Sequence, residues 1–404
     1  MTEIGQRVLP SPQPESASRR NARRTLAVAC GAHAIHDGYT DLVYVMLPIW
    51  QAEFGLAYSA VGMLRGLFSG TLAAFQIPSS LVADRVGVAP LLVIGTALAG
   101  FGYVVAGMSS GLALLAAALF IGGLGASTQH PLASALVAHA FSGKRSLKAL
   151  GSYNFAGDIG KMLFPVAGAF MIAIMPWRPA VAALGLCGFA AAIAILVLTP
   201  RVRGDEPAAA AGADAPAPAA APPKFGFPLL LSIGVLDSAT RMGFLTYLPF
   251  LLTAKGASVQ AIGLALTAVF AGGACGKLVC AFVGARIGVF ATVILTELLT
   301  AVAIFALLPL PLVGCYALLP LVGIALNGTS SVLYGSVPQM VTPERRTRAF
   351  SIFYTGTIGS GALSPILYGF VGDAIGVPMT LTVVAAVVLM TLPLAAALRP
   401  ALMR

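Results

Sequence analysis

The sequence has very few charged residues for its length. Only 9% of its 404 residues are charged, whereas 58% are hydrophobic, and a soluble domain usually has about 25% charged residues. This composition excludes a water-soluble globular protein and predicts an all-α polytopic membrane protein. The net charge of +10 does not indicate a nucleic-acid partner, because the basic residues lie at the ends of apolar segments.

Patterns typical of cysteine chemistry and of catalysis are also missing. The five cysteines form no CxxC pair, so we expect neither a disulfide framework nor a cysteine zinc site. No H-E-x-x-H helix or nucleophile–base pair occurs, so we predict neither an enzyme nor a cofactor. No cleavable signal peptide is expected, because the first apolar run is too long for one.

Apolar stretches of about 20 residues or more, enough to cross a bilayer, recur along the chain. We number them segments 1 to 12, and they lie near 26–50, 59–82, 89–108, 111–139, 150–175, 178–199, 226–253, 259–283, 289–308, 311–340, 349–372 and 378–398. An Ala/Pro-rich stretch without helical periodicity, 200–224, reads as a linker. The sequence therefore predicts 12 transmembrane helices in two six-helix, pseudo-symmetric halves, 26–199 and 225–398, with tails at 1–25 and 399–404.

Lysine and arginine are distributed unevenly between the two sets of loops. Most lie in the tails and in the loops after segments 2, 4, 6, 8 and 10, whereas Arg178 and Lys255 lie on the other side. Because cytoplasmic loops carry the excess of positive charge, we predict cytoplasmic N- and C-termini. The predicted location is the cell inner (plasma) membrane.

The two halves repeat at an offset of about 200 residues. Corresponding residues are Asp37 and Asp237, Thr40 and Thr240, Pro165 and Pro365 and, shifted by one further residue, Gly62 and Gly263. Six plus six helices with an internal repeat are typical of a duplicated transporter whose binding site lies between the halves.

The loop after segment 2 carries part of a known motif. The stretch SSLVADRVG contains Asp84 and Arg85, and together with the duplication and the linker it resembles the major facilitator superfamily. The resemblance implies that this Asp and Arg latch the two halves in one state. Ser80 stands where the superfamily has glycine, and the second-half copy keeps Arg286 but has Ala285 in place of the acid. The latch is therefore expected in the first half and weaker in the second.

Two further segments resemble the fosmidomycin-resistance branch of that superfamily. They are the H-x-x-H-D sequence from His33 and GGLGASTQHP at 122–131. The resemblance implies a secondary active transporter that moves a small organic, anionic solute or drug by alternating access, coupled to protons. The expected partners are this small-molecule substrate, protons and the lipid bilayer, without nucleic acid, and we expect a monomer.

Ionisable side chains lie within the apolar segments, where they are costly and mark a substrate, ion or proton pathway. Segment 1 places His33, Asp37, Thr40, Asp41 and Tyr44 on one helical face, with His36 at its margin. This face should border a water-filled cavity. The family resemblance implies that segments 1, 4, 7 and 10 line that cavity, with segments 2, 5, 8 and 11 beside them.

We assign three roles to the polar residues of these segments and loops. Predicted substrate-binding residues are Arg65, Gln129, His130, Asn154, Lys161, Arg241, Tyr44 and Asn327. Predicted proton-coupling residues are Asp37, Asp41, His33, His36, Asp158 and Asp237. Predicted gating residues are Asp84, Arg85, Arg286 and Lys277.

Some of these roles have alternatives. Asp158 with Lys161, and Asp237 with Arg241, have helical spacing that equally fits structural ion pairs. Arg65 has no acidic neighbour on its own helix, and its planar guanidinium suits an anion, so we prefer it as the anion anchor.

Two further residues complete these assignments. Asp37 is the preferred proton carrier, although a permanent salt bridge with Arg65 is the alternative. Glu297 on segment 9, expected at the periphery, has no predicted role beyond a lateral contact.

A second hypothesis is a divalent transition-metal transporter. Its nitrogen and oxygen ligands would be His33, His36, Asp37 and His130. No methionine or cysteine cluster accompanies these residues, and nearby cations would repel a metal ion. A third hypothesis, a membrane enzyme or receptor without transport, has no supporting motif.

Overall fold

A computed structural model describes residues 15–141, 144–199 and 225–402. In these ranges the chain is helical and has no β-strand, which confirms the predicted all-α fold. The predicted linker, 200–224, and most of the predicted N-terminal tail lie outside the described residues.

The helices of the first half are α1 Glu15–Phe54, α2 Tyr58–Val86, α3 Val88–Gly107, α4 Leu112–Ala126, α5 Gln129–Ala140, α6 Lys144–Ile174 and α7 Trp177–Leu198. Those of the second half are α8 Gly226–Ala254, α9 Val259–Leu307, α10 Leu312–Ser336, α11 Arg346–Ile375, α12 Val377–Leu389 and α13 Thr391–Leu402. Two short 3₁₀ turns, Val337–Gln339 and Pro343–Arg345, connect α10 to α11.

These helices map onto the predicted segments. Within the described residues, 11 stretches are long and apolar enough to cross a membrane. Helix α1 has 40 residues but is not among them, because the histidines and aspartates of segment 1 lower its hydropathy. Segment 4 is divided between α4 and α5, segment 12 between α12 and α13, and segments 8 and 9 are joined in α9.

Corresponding glycines break the helices at the same place in each half. Gly87 separates α2 from α3 with φ 92°, and Gly288 bends α9 with φ 84°. Residues with a side chain rarely adopt this positive φ, so glycine is required at both turns. The shared break supports the repeat inferred from the sequence.

The two ends of the bundle differ in how the halves meet. Arg24, early in α1, donates a hydrogen bond to the carbonyl of Val197 at the end of α7, and we call this end the linker end. The opposite end, where α1 passes into α2, is the distal end.

At the distal end the two halves are in close contact. A side chain at Gly62 of α2 would overlap the backbone of Pro365 in α11. A Cβ at Gly263 of α9 would lie 3.1 Å from the carbonyl oxygen of Pro165 in α6 and would overlap Ala169. Glycine allows helices to approach this closely, and the two contacts are related by the internal repeat.

A carboxylate adds a polar contact across the distal end. Asp373 of α11 accepts hydrogen bonds from the backbone N–H groups of Tyr58 (2.5 Å) and Ser59 (3.1 Å) at the start of α2. Tyr247 of α8 also donates a hydrogen bond to the carbonyl of Tyr58, at 3.2 Å. The distal end is therefore closed by close helix packing and by hydrogen bonds from side chains of one half to the backbone of the other.

Candidate functional site

A cavity of about 590 Å³ lies between the two halves, with walls from α1, α2, α5 and α6 of the first half and α8 to α11 of the second. Its lining includes many predicted site residues, namely Asp37, Asp41, Tyr44, Arg65, His130, Asp158, Lys161, Arg241, Lys277 and Asn327. The polar face predicted for segment 1 thus borders a cavity. The charged lining consists of three aspartates and four lysines or arginines, so the wall carries a small excess of positive charge when all are ionised.

Asp37 is the centre of a polar cluster. Its Oδ2 lies 3.3 Å from Lys161 Nζ, and its Oδ1 lies 3.4 Å from His33 Nε2. The Nε2 atoms of His36 and His130 are each 3.8 Å from the same Oδ1. We call His33, His36, Asp37 and His130 the histidine cluster. The alternative of a permanent salt bridge between Asp37 and Arg65 is wrong, because Lys161 occupies that position.

An ion pair joins the two halves across the cavity. Lys277 Nζ of α9 lies 2.6 Å and 2.8 Å from the two carboxylate oxygens of Asp158 in α6. Lys161, three residues after Asp158, is 4.0 Å from it. The predicted i, i+3 pair is therefore the weaker contact, and the principal partner of Asp158 comes from the other half.

Arg65 is a buried cation without a carboxylate partner. Its side chain is 2% exposed, and its guanidinium donates hydrogen bonds to Tyr44 Oη at 2.9 Å and to Ser69. Its Cζ lies 4.6 Å from the centre of the Tyr44 ring. No acidic group among the described residues lies within ion-pair distance of it, and its Nε has no hydrogen-bond acceptor there.

Asp41 is the opposite case, a buried carboxylate without a cationic partner in contact. It is 6% exposed and lines the cavity. Within the described part of the chain it has no hydrogen bond or ion pair, although Lys161, Arg65 and Arg241 act on it from farther away. A carboxylate in this position is costly when ionised.

In the second half, a serine joins the corresponding residues. Arg241 Nη1 donates to Ser330 Oγ at 3.0 Å, and Ser330 Oγ donates to Asp237 Oδ2 at 3.3 Å. The direct ion pair that was one alternative for Asp237 and Arg241 is therefore not formed, because Ser330 of α10 lies between them. Glu297 is 1% exposed and lies beside Thr329 of α10, which supplies the lateral contact that the sequence left open.

Several predicted site residues lie away from the cavity. Gln129 is buried beside a separate small cavity, and Asn154 is exposed on α6 without lining the large one. Neither residue lines the large cavity in this conformation, and their contact with substrate stays a prediction. Asp237, His33 and His36 do not line the large cavity, and His36 borders the small cavity together with Gln129.

The predicted latch residues are at the surface. Asp84 and Arg85 are exposed and have no hydrogen bond or ion pair within the part of the chain that the structure describes. Arg286 lies over the ring of Phe282, 4.3 Å from its centre. Among the described residues, the latch contacts implied by the family resemblance are therefore not formed.

The residues that line the cavity from the second half and that the sequence reasoning missed include Met242 and Tyr354. Met242 accepts a hydrogen bond from Tyr44 at 3.2 Å and so joins α1 to α8. Tyr354 corresponds to Asn154 in the repeat. Applying the repeat to every predicted position would have indicated Tyr354, whereas nothing in the sequence distinguished Met242 from other apolar residues.

Comparison with known proteins agrees with this architecture. The family model of the Major Facilitator Superfamily matches residues 29–236 and 230–402. Multidrug resistance protein MdtL of Escherichia coli is 27% identical over 169 residues, which are 42% of this chain and 43% of MdtL. The match therefore spans less than half the length of that curated relative.

Solved structures share the fold at low sequence identity. A bacterial homologue of the human lysosomal transporter Spinster, in an inward-facing and unoccupied conformation, has a TM-score of 0.76 at 15% identity over 95% of this chain and 98% of its own. The nucleoside transporter NupG has a TM-score of 0.75 at 14% identity over 94% of this chain and 99% of its own. At these identities the likeness concerns the fold alone.

Proposed function

Because the chain belongs to the Major Facilitator Superfamily, we propose that it is a secondary active transporter of a small organic anion or anionic drug, coupled to protons and working by alternating access. The family assignment confirms the resemblance predicted from the loop after segment 2. It also agrees with the prediction that the chain is not an enzyme, because this is a family of transporters. The fosmidomycin-resistance branch stays a prediction.

Arg65 is the observation that supports an anionic substrate. A guanidinium that is 2% exposed and has no carboxylate in contact is costly, since buried charges are normally paired. A carboxylate or phosphonate entering the cavity would supply the missing partner in bidentate geometry. Arg241 lies on the opposite wall, so one anion held by both would join the two halves.

Asp41 is the proposed proton carrier in place of Asp37. Asp37 is held by Lys161 at 3.3 Å, so its charge is already compensated. Asp41 faces the cavity without such a partner, and a buried carboxyl group of this kind is neutralised at least cost by a proton. The charged groups around it are Asp37 on its own helix, Arg65 on α2, Lys161 on α6 and Arg241 on α8.

These two residues suggest how proton and anion are coupled. When Asp41 is ionised, it partly offsets the charge of Arg65, which acts on it through space. When Asp41 is protonated, it no longer offsets the charge of Arg65, and the guanidinium can bind the anionic substrate more strongly. Anion affinity should therefore fall as the pH rises and Asp41 loses its proton.

The arrangement of the two ends suggests the conformation. The distal end is closed, and the lining of the cavity includes Gln76 and Ser134 toward the linker end. We place the linker end on the cytoplasmic side of the inner membrane, as the charge asymmetry predicts. The conformation is then inward-facing, and the exposed Asp84 and Arg85 would form their latch when the cavity opens to the other side.

The test uses purified protein in proteoliposomes with an imposed pH gradient. A thermal-stabilisation screen across phosphonates, carboxylates and cationic drugs first selects the substrate. Asp41→Asn should retain equilibrium exchange of the selected anion but lose gradient-driven accumulation, and its anion affinity should become independent of pH.

Asp237→Asn is the matched control, because Asp237 is an equally buried aspartate at a repeat-related helix but lies outside the cavity lining. It should retain most of the accumulation. Full gradient-driven accumulation by Asp41→Asn would refute the proton role, and stabilisation by cationic drugs alone would refute the anionic substrate.

A further inference from the structure

We propose that the histidine cluster is a binding site for a divalent transition-metal ion that stays with the first half of the protein and is not the transported solute. The four ligand atoms would be the Nε2 atoms of His33, His36 and His130 and the Oδ1 atom of Asp37. This proposal does not depend on the proposed anion substrate or on Asp41.

Two of the distances between these atoms match tetrahedral coordination. Ligands about 2.0–2.1 Å from a zinc ion, placed at the corners of a tetrahedron, are about 3.3–3.4 Å apart. The distance from His36 Nε2 to His130 Nε2 is 3.3 Å, and that from His33 Nε2 to Asp37 Oδ1 is 3.4 Å. The other two distances to Asp37 Oδ1 are 3.8 Å. The ligand atoms of His33, Asp37 and His130 all lie within 4.8 Å of one another, so rotation of the partly exposed His130 side chain toward His33 would complete the coordination shell.

His33 supplies a second, independent observation. Its Nδ1 lies 2.8 Å from the carbonyl oxygen of Tyr153, which can only accept a hydrogen bond, so Nδ1 carries the proton. In the neutral ring Nε2 then presents a lone pair toward Asp37. This nitrogen is buried and has no hydrogen-bond partner within the described residues. A histidine that binds a metal ion typically donates its other N–H to a carbonyl in this way.

The carboxylate of Asp37 is also oriented toward the proposed metal position. Lys161 holds Oδ2 of Asp37 and leaves Oδ1 directed at the three imidazoles. Imidazole nitrogens with one carboxylate oxygen favour zinc, nickel or cobalt over magnesium or calcium, which prefer oxygen ligands. The positive charge of Lys161 reduces the affinity, but Asp158, 4.0 Å from it, offsets part of that charge.

The location of the ligands separates this site from a transport site. All four residues belong to α1 and α5 of the first half, so the ion need not be released when the two halves rearrange. His130 is the entry point, because its side chain is 45% exposed whereas that of His33 is 3% exposed. The ion would fix α1 against α5 beside the cavity.

The experiment is calorimetric titration of the purified full-length protein, prepared without a histidine tag, with zinc chloride and nickel chloride. Magnesium chloride is the negative ion control. We expect one saturable zinc or nickel site per chain and no saturable magnesium binding. X-ray absorption of the zinc-loaded protein should give nitrogen and oxygen neighbours at about 2.0–2.1 Å with imidazole scattering and no sulfur.

His130→Ala is the principal variant, because its partly exposed side chain can be removed with little effect on folding, and it should abolish the saturable site. Asp237→Asn replaces an aspartate of the second half that is as buried as Asp37, and this variant should bind zinc as the wild type does. Absence of a saturable heat up to millimolar zinc and nickel would overturn the proposal, as would unchanged binding by His130→Ala. A sulfur-containing shell would also overturn it, since it would assign the ion to the cysteines.

Discussion

The repeat-related faces of α1 and α8 carry corresponding residues, but their buried charged side chains have different partners. In the second half, Ser330 joins Asp237 and Arg241, so the carboxylate and the guanidinium balance each other. In the first half, Asp37 takes Lys161 as its partner, and Asp41 is left without one. In the second half the buried charges of this helix face therefore offset each other, whereas in the first half one buried charge has no partner in contact.

The comparison bears on which half binds the proton and the anion. The sequence analysis assigned proton-coupling and substrate-binding residues to both halves. The unpaired carboxyl group, Asp41, and the unpaired guanidinium, Arg65, both lie in the first half, whereas Arg241 already donates to Ser330. We therefore expect the first half to dominate both functions, and the following variants test that asymmetry.

The largest expected effect is the loss of the unpaired guanidinium. Arg65→Ala should weaken binding of the anionic substrate by about 10–150-fold, because a hydrogen bond to a charged group contributes about 1.5–3 kcal/mol. Arg241→Ala should weaken it only a few-fold, since Asp237, joined to Arg241 through Ser330, already offsets its charge. Direct binding measurements on both variants provide the comparison.

Arg65→Lys is the control for charge without the planar fork, and its affinity should lie between those of the wild type and Arg65→Ala. If Arg241→Ala proved the more damaging variant, the anion anchor would belong to the second half and the proposed asymmetry would be reversed.

How far the sequence predicted these features depends on whether they lie within one helix or between helices. Hydropathy and the repeat gave the two halves and the polar face of α1, and the lack of an acidic neighbour on its own helix marked Arg65. The partners across helices were not predictable. The pairing of Asp37 with Lys161, and of Asp158 with Lys277, is determined by the rotation and tilt of the packed helices. These depend on small-residue contacts, such as that of Gly62, and not on the periodicity of one helix.

The next prediction concerns the repeat-related glycines of the distal end, Gly62 and Gly263. Gly62→Ala should shift the protein toward conformations open at that end by about 1–3 kcal/mol, the usual cost of overpacking, because the new methyl group would meet the backbone of Pro365. Cross-linking of cysteine pairs across the distal end, in a background without the native cysteines, measures the shift.

Gly263→Ala is the matched variant. Its methyl group would meet the side chain of Ala169 and, at 3.1 Å, the carbonyl oxygen of Pro165, so less backbone has to move and the shift should be smaller. Equal cross-linking yields for the two variants would show that the two distal contacts are energetically equivalent.

A smaller effect is expected from the ion pair between the halves. Lys277→Met removes the partner of Asp158, but the side chain of Lys277 is 41% exposed to the cavity, which reduces the contribution of the pair to about 1 kcal/mol. The melting temperature should fall by about 2–4 °C. Lys277→Arg should restore most of the loss, and an unchanged melting temperature in Lys277→Met would show that Lys161 alone compensates Asp158.

The smallest effect concerns how the two halves cap repeat-related helices at the distal end. Helix α9 is capped within its own half, where Ser258 accepts a hydrogen bond from the N–H of Ala261 at 3.2 Å. Helix α2 has no cap of its own, and Asp373 of the other half accepts from the N–H groups of Tyr58 and Ser59. A carboxylate at a helix N-terminus also interacts favourably with the helix dipole. This cap therefore exists only while the distal end is closed.

Asp373→Ala should consequently favour the conformation open at the distal end by about 0.5–1 kcal/mol, a shift of roughly two- to fivefold in the ratio of the two conformations. Ser258→Ala removes a cap of similar strength that does not span the halves, so it should lower thermal stability without changing the ratio. Distal cross-linking and melting temperature, measured on both variants, separate the two effects. A change in melting temperature without a change in cross-linking for Asp373→Ala would contradict the role of this carboxylate, because a cap that crosses the closed end must be lost when that end opens.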